Sequence, residues 1–303
     1  MIKSLFKTSA VFFLLGGCLF FTENYADAAL CTVAVEAISI GSGISNRSSR
    51  HLNREQLQDE IETALRETRK FQVVSRQEKI LSLVRKEQAF AKTTVAKGNA
   101  AIEGQADNAQ LLIVATVHDF KFGSSTKPVP NIASKYVRRD YGRLAINAKI
   151  VNTSSMAVVK EVNLQSSTGS KEHIVNHPGG IPDSRYYTKM ARDIGVKLAE
   201  EVLNAQFPMK IIRCKGNQVF INRGKDGGLK KGDILNVYSQ GEMMIDPDTN
   251  EKIGADEMML GQIKVMRVNP KFTIAQIKDE EIQKLIAGEL SAAAPKHPIV
   301  RKP

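Results

Sequence analysis

The chain has little of what enzyme and metal sites are made from. Its five histidines are scattered, at 51, 118, 173, 177 and 297. Neither His-Glu-x-x-His nor Cys-x-x-Cys occurs, so zinc, haem and dithiol redox chemistry have no motif to rest on. His173 and His177 have the i, i+4 spacing that chelates a metal on a helix, but Pro178, Gly179 and Gly180 make that stretch a loop. Gly41-Ser42-Gly43 lacks both the third glycine and the downstream acid of a dinucleotide site, and there is no phosphate loop. Long apolar runs are also scarce. Only Ala10 to Phe21 is unbroken, and it is too short for a comfortable bilayer span.

That run has a purpose of its own. Lys3 and Lys7 precede it, and a polar stretch ending in Ala26-Asp27-Ala28 follows it, the order of a signal peptide over residues 1–28 with cleavage before Ala29. Leu15-Gly16-Gly17-Cys18 offers a second reading, a lipobox that makes Cys18 a lipidated N-terminus; continuation of the apolar run past Cys18 favours the first. The expected compartment is the periplasm of a two-membrane bacterium, which is oxidising. Cys31 and Cys214, the cysteines left after cleavage, then form a candidate disulfide between domains, with two separately buried thiols as the alternative. The leader carries as many acidic as basic residues, so the mature chain keeps the net charge of +11. Outside the cytoplasm such a surface meets no nucleic acid. Its counterparts are anionic cell-wall polymer, lipid head groups or an acidic protein, unless the excess serves solubility alone.

Some 275 mature residues, roughly, suggest two domains. Leu30 to Ile40 reads as a strand and Asn53 to Thr68 as an amphipathic helix on Leu57, Ile61, Ala64 and Leu65. Phe71 to Val74 reads as a second strand and Arg76 to Ala89 as a second helix with Ile80, Leu83 and Val84 along it. A central strand over Leu111 to Phe122 is expected to end where Gly123, Pro128 and Pro130 break the chain. Leu144–Val151 and Met156–Gln165 form a hairpin around Asn152-Thr153-Ser154-Ser155, Ser166 to Asp183 is a polar loop, and Ser184 to Asn204 is a helix. These elements make an α/β domain over 29–207. Beyond Phe207-Pro208 the rhythm changes to short strands with no helix between them, predicting a small β-barrel over 208–290. The Ala/Pro/Lys-rich end, 291–303, is expected to be a disordered basic tail.

Four blocks of the first domain resemble the CsgG family, named for the curli secretion channel. They are Ala64-Leu65 through Phe71–Arg76 into Leu81–Val84, Asn108 to Ala115, Leu144 to Val151, and Asn152-Thr153 with the strand after it. The second domain is similar to the C-terminal domain of the flagellar assembly protein FlgT in Val219–Gly224, Asp226–Asp233, the Asp246-Pro247-Asp248-Thr249 turn and Leu260–Val265. The resemblance implies a CsgG-like mixed sheet with flanking helices followed by an all-β barrel, both of them binding modules. The extra N-terminal domain of the FlgT family has no room here.

Two constellations bear on sites. Asp246, Asp248, Asn250 and Glu257 stand at positions 1, 3, 5 and 12 of a calcium-loop pattern, but Glu251 occupies the glycine position and the flanks are strand-like, so a simple turn is the stronger reading. Lys135, Tyr136, Arg138, Arg139, Tyr141 and Arg143 combine cations with aromatics and form the candidate partner contact, a solvated hairpin edge being the alternative. The expected function is that of a non-enzymatic periplasmic assembly factor without cofactor. Its expected partners are envelope or flagellar basal-body proteins, the cell wall or the outer-membrane surface, with a homo-oligomeric ring as a further expectation. Two alternatives are carried. One is a subunit of a CsgG-type outer-membrane pore, although the candidate insertions Gly123–Arg143 and Ser166–Asp183 lack a regular apolar face. The other is an outer-membrane lipoprotein regulating a cell-wall synthase.

Overall fold

Alternating side chains build one open sheet and one closed one. The computed structural model describes residues 30–45, 49–92, 107–248, 250, 252–292 and 296–303. The expected leader and Cys18 lie outside these residues.

The first unit runs β1 (Cys31–Val35), β2 (Ser39–Ile40), α1 (Arg54–Glu67), β3 (Phe71–Ser75), α2 (Glu78–Ala91), β4 (Leu111–Pro128), β5 (Tyr136–Asn152), β6 (Val158–Gly169), β7 (His173–Val175) and α3 (Ser184–Gln206). The sheet order is β3-β1-β4-β5-β6, with β2 on β4 and β7 on β5. β1 runs parallel to β3 and β4, whereas β4, β5 and β6 are antiparallel. Asn53 caps α1 by accepting from Gln56 N at 3.0 Å, and Asp183 caps α3 by accepting from Arg185 N at 2.8 Å. The apolar stripes of these two helices, Leu57, Ile61 and Leu65 with Met190, Ile194 and Leu198, bury the sheet residues Val33, Val35, Ile113, Ile146 and Ile150. The helices approach closely because Gly195 carries no Cβ: one placed there would stand 2.7 Å from the Glu60 carbonyl oxygen.

α1 also buries a carboxyl group. Glu62 is 4 % exposed and accepts from Gln58 Nε2 at 3.1 Å. Burial pushes its carboxyl above the usual range, against the opposing pull of hydrogen bonds from Gln58 and Gln77. With the folded pKa above the unfolded one, this group favours folding most below the unfolded value and loses that contribution as pH rises through the folded value. Glu62→Gln is therefore expected to raise the melting temperature at pH 7, with the gain shrinking toward pH 4; a pH series of thermal denaturation checks it.

The second unit runs β8 (Met209–Lys215), β9 (Gln218–Ile221), a short 3-10 turn, β10 (Ile234–Ile245), β11 (Lys252–Val268), β12 (Thr273–Ile277), α4 (Glu280–Ser291) and β13 (Ile299–Arg301). The strands close into a barrel in the order β10-β11-β12-β9-β8-β13. Ile211, Val219, Ile221, Leu235, Val237 and Val265 fill its interior. An α/β unit followed by an all-β barrel is thus the architecture.

Several elements differ from the sequence reading. Leu30–Ile40 is two strands, not one. β4 runs on past Gly123, and Pro128 is its last residue, opposite Tyr136, where a missing N–H interrupts no interior ladder. The stretch expected as a polar loop after Ser166 supplies the end of β6 and all of β7. α4 is a helix where none was expected; Asp279 caps it, and it buries only Ile286 fully, too little for an apolar period to stand out. The tail expected to be disordered contains β13, whose Ile299 and Val300 are 3 % and 1 % exposed. Two apolar residues suffice for so short a strand, and composition averaged over the tail hides them.

Candidate binding surfaces

Strand parity divides the basic cluster of β5. Arg138 faces inward: it donates to Asp140 Oδ1 at 2.7 Å, both side chains being nearly buried, and to the carbonyls of Gly179 and Gly180 at 3.0 and 3.2 Å. It holds a loop and is not free for a partner. Lys135 donates to Asn176 Oδ1 at 2.5 Å, and Tyr136 is half-buried between Pro128 and Val175. Arg143 is tied to Asp119 at 2.9 Å and donates to Gln165 at 2.9 Å. Arg139 and Tyr141 point outward and are exposed. Of the six candidates, only these two reach a common open feature, a groove of about 690 Å³ that Ser125, Lys127, Ser167 and Glu172 also line.

The last four were missed in the sequence. Lys127 and Ser125 come beside Arg139 through the register Ser125↔Arg139 and Lys127↔Val137, in the part of β4 that the glycine and proline signals had cut away. Parity from Arg139 back across the hairpin was the available signal.

Two apolar surfaces are also open. On α2, Ile80, Leu83, Val84 and Phe90 are 38–56 % exposed, and no residue of that helix is buried. On the β10–β11 ribbon, Met243, Met244, Met258 and Met259 are 46–61 % exposed. Flexible thioethers on an exposed ribbon adapt to varied protein surfaces.

The acidic turn does not gather ligands. Asp246 Oδ1 accepts from Asp248 N at 2.8 Å, as in an ordinary Asx turn, while Glu257 is engaged by both terminal nitrogens of Arg301 at 2.6 and 2.8 Å. No group of three or more His, Cys, Asp or Glu side chains is placed to hold a metal ion among the described residues. The cysteines are free thiols in separate cores: Cys31 is buried in the first, and Cys214 packs against the second with its thiol directed at the Gly216 carbonyl. No bond joins them in this structure. Burial pushes both thiols up, so each stays protonated at neutral pH.

Residues 29–128 match the family model of the peptidoglycan-synthase activator LpoB. The stretch spans β1 to the end of β4, including the open stripe of α2. Residues 216–286 match the C-terminal domain of flagellar assembly protein T, which spans β9 to α4 and the methionine ribbon. The LpoB match overturns the CsgG resemblance of the first domain. The blocks Phe71–Arg76 and Asn108–Ala115 lie inside the LpoB-like stretch, and short strand and helix blocks of this kind do not discriminate between related sheets. The β4–β5 ribbon carries Lys127, Arg139 and Arg143 on one face and the Arg138–Asp140 pair on the other.

No curated protein matches the chain. Among solved structures it is similar to a hypothetical protein of Chlamydia trachomatis (TM-score 0.34, 11 % identity, 58 % of this chain and 98 % of that one). It is also similar to a protein of Xanthomonas campestris (0.34, 11 %, 59 % and 86 %) and to the PelC dodecamer of Paraburkholderia phytofirmans (0.27, 14 %, 56 % and 88 %). Both matching family models describe proteins that activate or assemble other proteins. The chain is a non-enzymatic envelope protein built from two protein-interaction modules.

Proposed function

We propose that the chain regulates a cell-wall synthase from the periplasmic side of the outer membrane, by direct protein contact. The match of residues 29–128 with the synthase-activator family carries this reading. In it, the stripe on α2 is the contact surface, since Leu83 and Val84 are 56 % and 46 % exposed within the matching stretch. A mature N-terminus at lipidated Cys18 would anchor the chain to the membrane, and one at Ala29 would leave it periplasmic.

The test is glycan polymerisation by a purified bifunctional synthase from the same organism. The chain is expected to stimulate it, and Leu83→Glu is expected to abolish stimulation while leaving the melting temperature unchanged, since an exposed substitution shifts stability by only about 0.5 kcal/mol. Absence of both binding and stimulation by the wild-type chain would remove the reading. A flagellar assembly role is the second reading, supported by the match over residues 216–286. A deletion strain that loses swimming but keeps normal wall synthesis would favour it.

A further inference from the structure

We infer that the groove on the outer face of β4, β5 and β6 binds a carboxylate-bearing saccharide, an interaction separate from the synthase contact proposed above. The groove's floor is bare backbone. Tyr141 stands in register between Gly123 on β4 and Gly169 on β6. A Cβ on Gly123 would lie 3.0 Å from Tyr141 Oη and 3.2 Å from Cζ, so the ring rests over the glycine, and the residue is 47 % exposed. A flat ring lying on the sheet with one face open is a stacking platform, apolar across its face and polar at its tip.

The groups around the ring define the ligand. The side chains of Lys127 and Arg139 have no hydrogen-bond or ion-pair partner among the described residues, and the same holds for the hydroxyls of Ser125 and Ser167. Two cations against the single acid Glu172 leave the groove positive, so the ligand carries negative charge. The guanidinium fork of Arg139 suits a carboxylate. Hydroxyls both donate and accept, which a simple anion cannot use but a sugar's own hydroxyls can. A lipid surface would call for an apolar rim, and the rim here is Lys127, Arg139 and Glu172. An acidic peptide adding to the sheet would pair along the free edge of β6, not across the outer face of β5 where Arg139 and Tyr141 stand.

The site is also held in shape before any ligand arrives. On the inner face directly behind it, Arg138 clamps Asp140 and the Gly179 and Gly180 carbonyls, while Thr126 Oγ1 donates to the Pro178 carbonyl at 3.1 Å. The ordering cost of binding therefore falls mainly on the ligand.

Isothermal titration of the full chain tests the inference. The probes are a tetrasaccharide containing N-acetylmuramic acid, the neutral N-acetylglucosamine tetramer, inorganic phosphate and phosphatidylglycerol vesicles. The acidic saccharide is expected to bind with one-to-one stoichiometry, and the neutral one about tenfold more weakly or worse. Arg139→Ala and Tyr141→Ala should each weaken the acidic saccharide about tenfold without changing the melting temperature, and Gly123→Val should do the same by displacing the ring. The inference is overturned if neither saccharide binds, if the three variants bind as the wild type does, or if phosphate or vesicles bind and the acidic saccharide does not.

Discussion

A chain ending at Lys296 is expected to lose its barrel. β13 joins the two ends of the barrel sheet, pairing Ile299 and Val300 with Lys210 and Met209 on β8, and the same residues with Tyr238 and Val237 on β10. Without it both neighbours become open edges with unpaired backbone groups. Ile299 and Val300 are almost fully buried, and burial of two such side chains contributes roughly 3–6 kcal/mol. The residues just before the strand add to this, since Ile211 N donates to the Pro298 carbonyl at 2.9 Å. Arg301 contributes less: its pair with Glu257 is half-exposed, and ion pairs of that kind stabilise by about 1 kcal/mol at most. A loss on this scale takes most of the stability of a small domain. Limited proteolysis of the truncated chain should cut within 209–292 at concentrations that spare the full-length protein, while fragments of the first unit persist, because its core cluster runs from Cys31 to Leu203 with Phe207 packed against it and draws on no barrel residue among those described. Unchanged proteolysis and melting would show that the barrel closes without β13.

That prediction runs against the sequence reading, and the reason is physical. Periodicity reveals an element when several residues of it face a core. α1 and α3 could be read because Leu57, Ile61 and Leu65, and Met190, Ile194 and Leu198, repeat at helical spacing over about two turns. β13 has two core residues, α4 has one, and neither repeats. α2 shows the reverse case, a helix whose apolar stripe was legible but faces solvent, since periodicity reports a stripe and not what covers it. The groove was half legible. Arg139 and Tyr141 stood out as cation beside aromatic, but their neighbours come from β4, from β6 and from the loop after it, and parity across the hairpin could reach Ser125 and Lys127 only once β4 was carried past Gly123, a glycine that looked like a break signal.

Arg138 and Arg139 make the sharpest test of how much parity decides. The two are adjacent and chemically identical, and as letters they could not be told apart. On β5 they face opposite sides of the sheet. Arg138→Ala leaves the Asp140 carboxylate, about nine-tenths buried, without its ion-pair partner, and leaves the Gly179 and Gly180 carbonyls without their donor. Removing one partner of a buried pair costs about 3–5 kcal/mol. In the first unit that corresponds to a fall in melting temperature of roughly 10 °C or more. Arg139→Ala removes an exposed, unpaired side chain and should move stability by no more than about 0.5 kcal/mol. The double variant Arg138→Met with Asp140→Leu separates charge from packing: it leaves no stranded carboxylate, so it should regain much of what Arg138→Ala loses. Thermal denaturation of the three variants reads all of this. Equal, small effects at 138 and 139 would mean that the Arg138–Asp140 pair does not form in solution and that the loop at Gly179–Gly180 is held by other contacts.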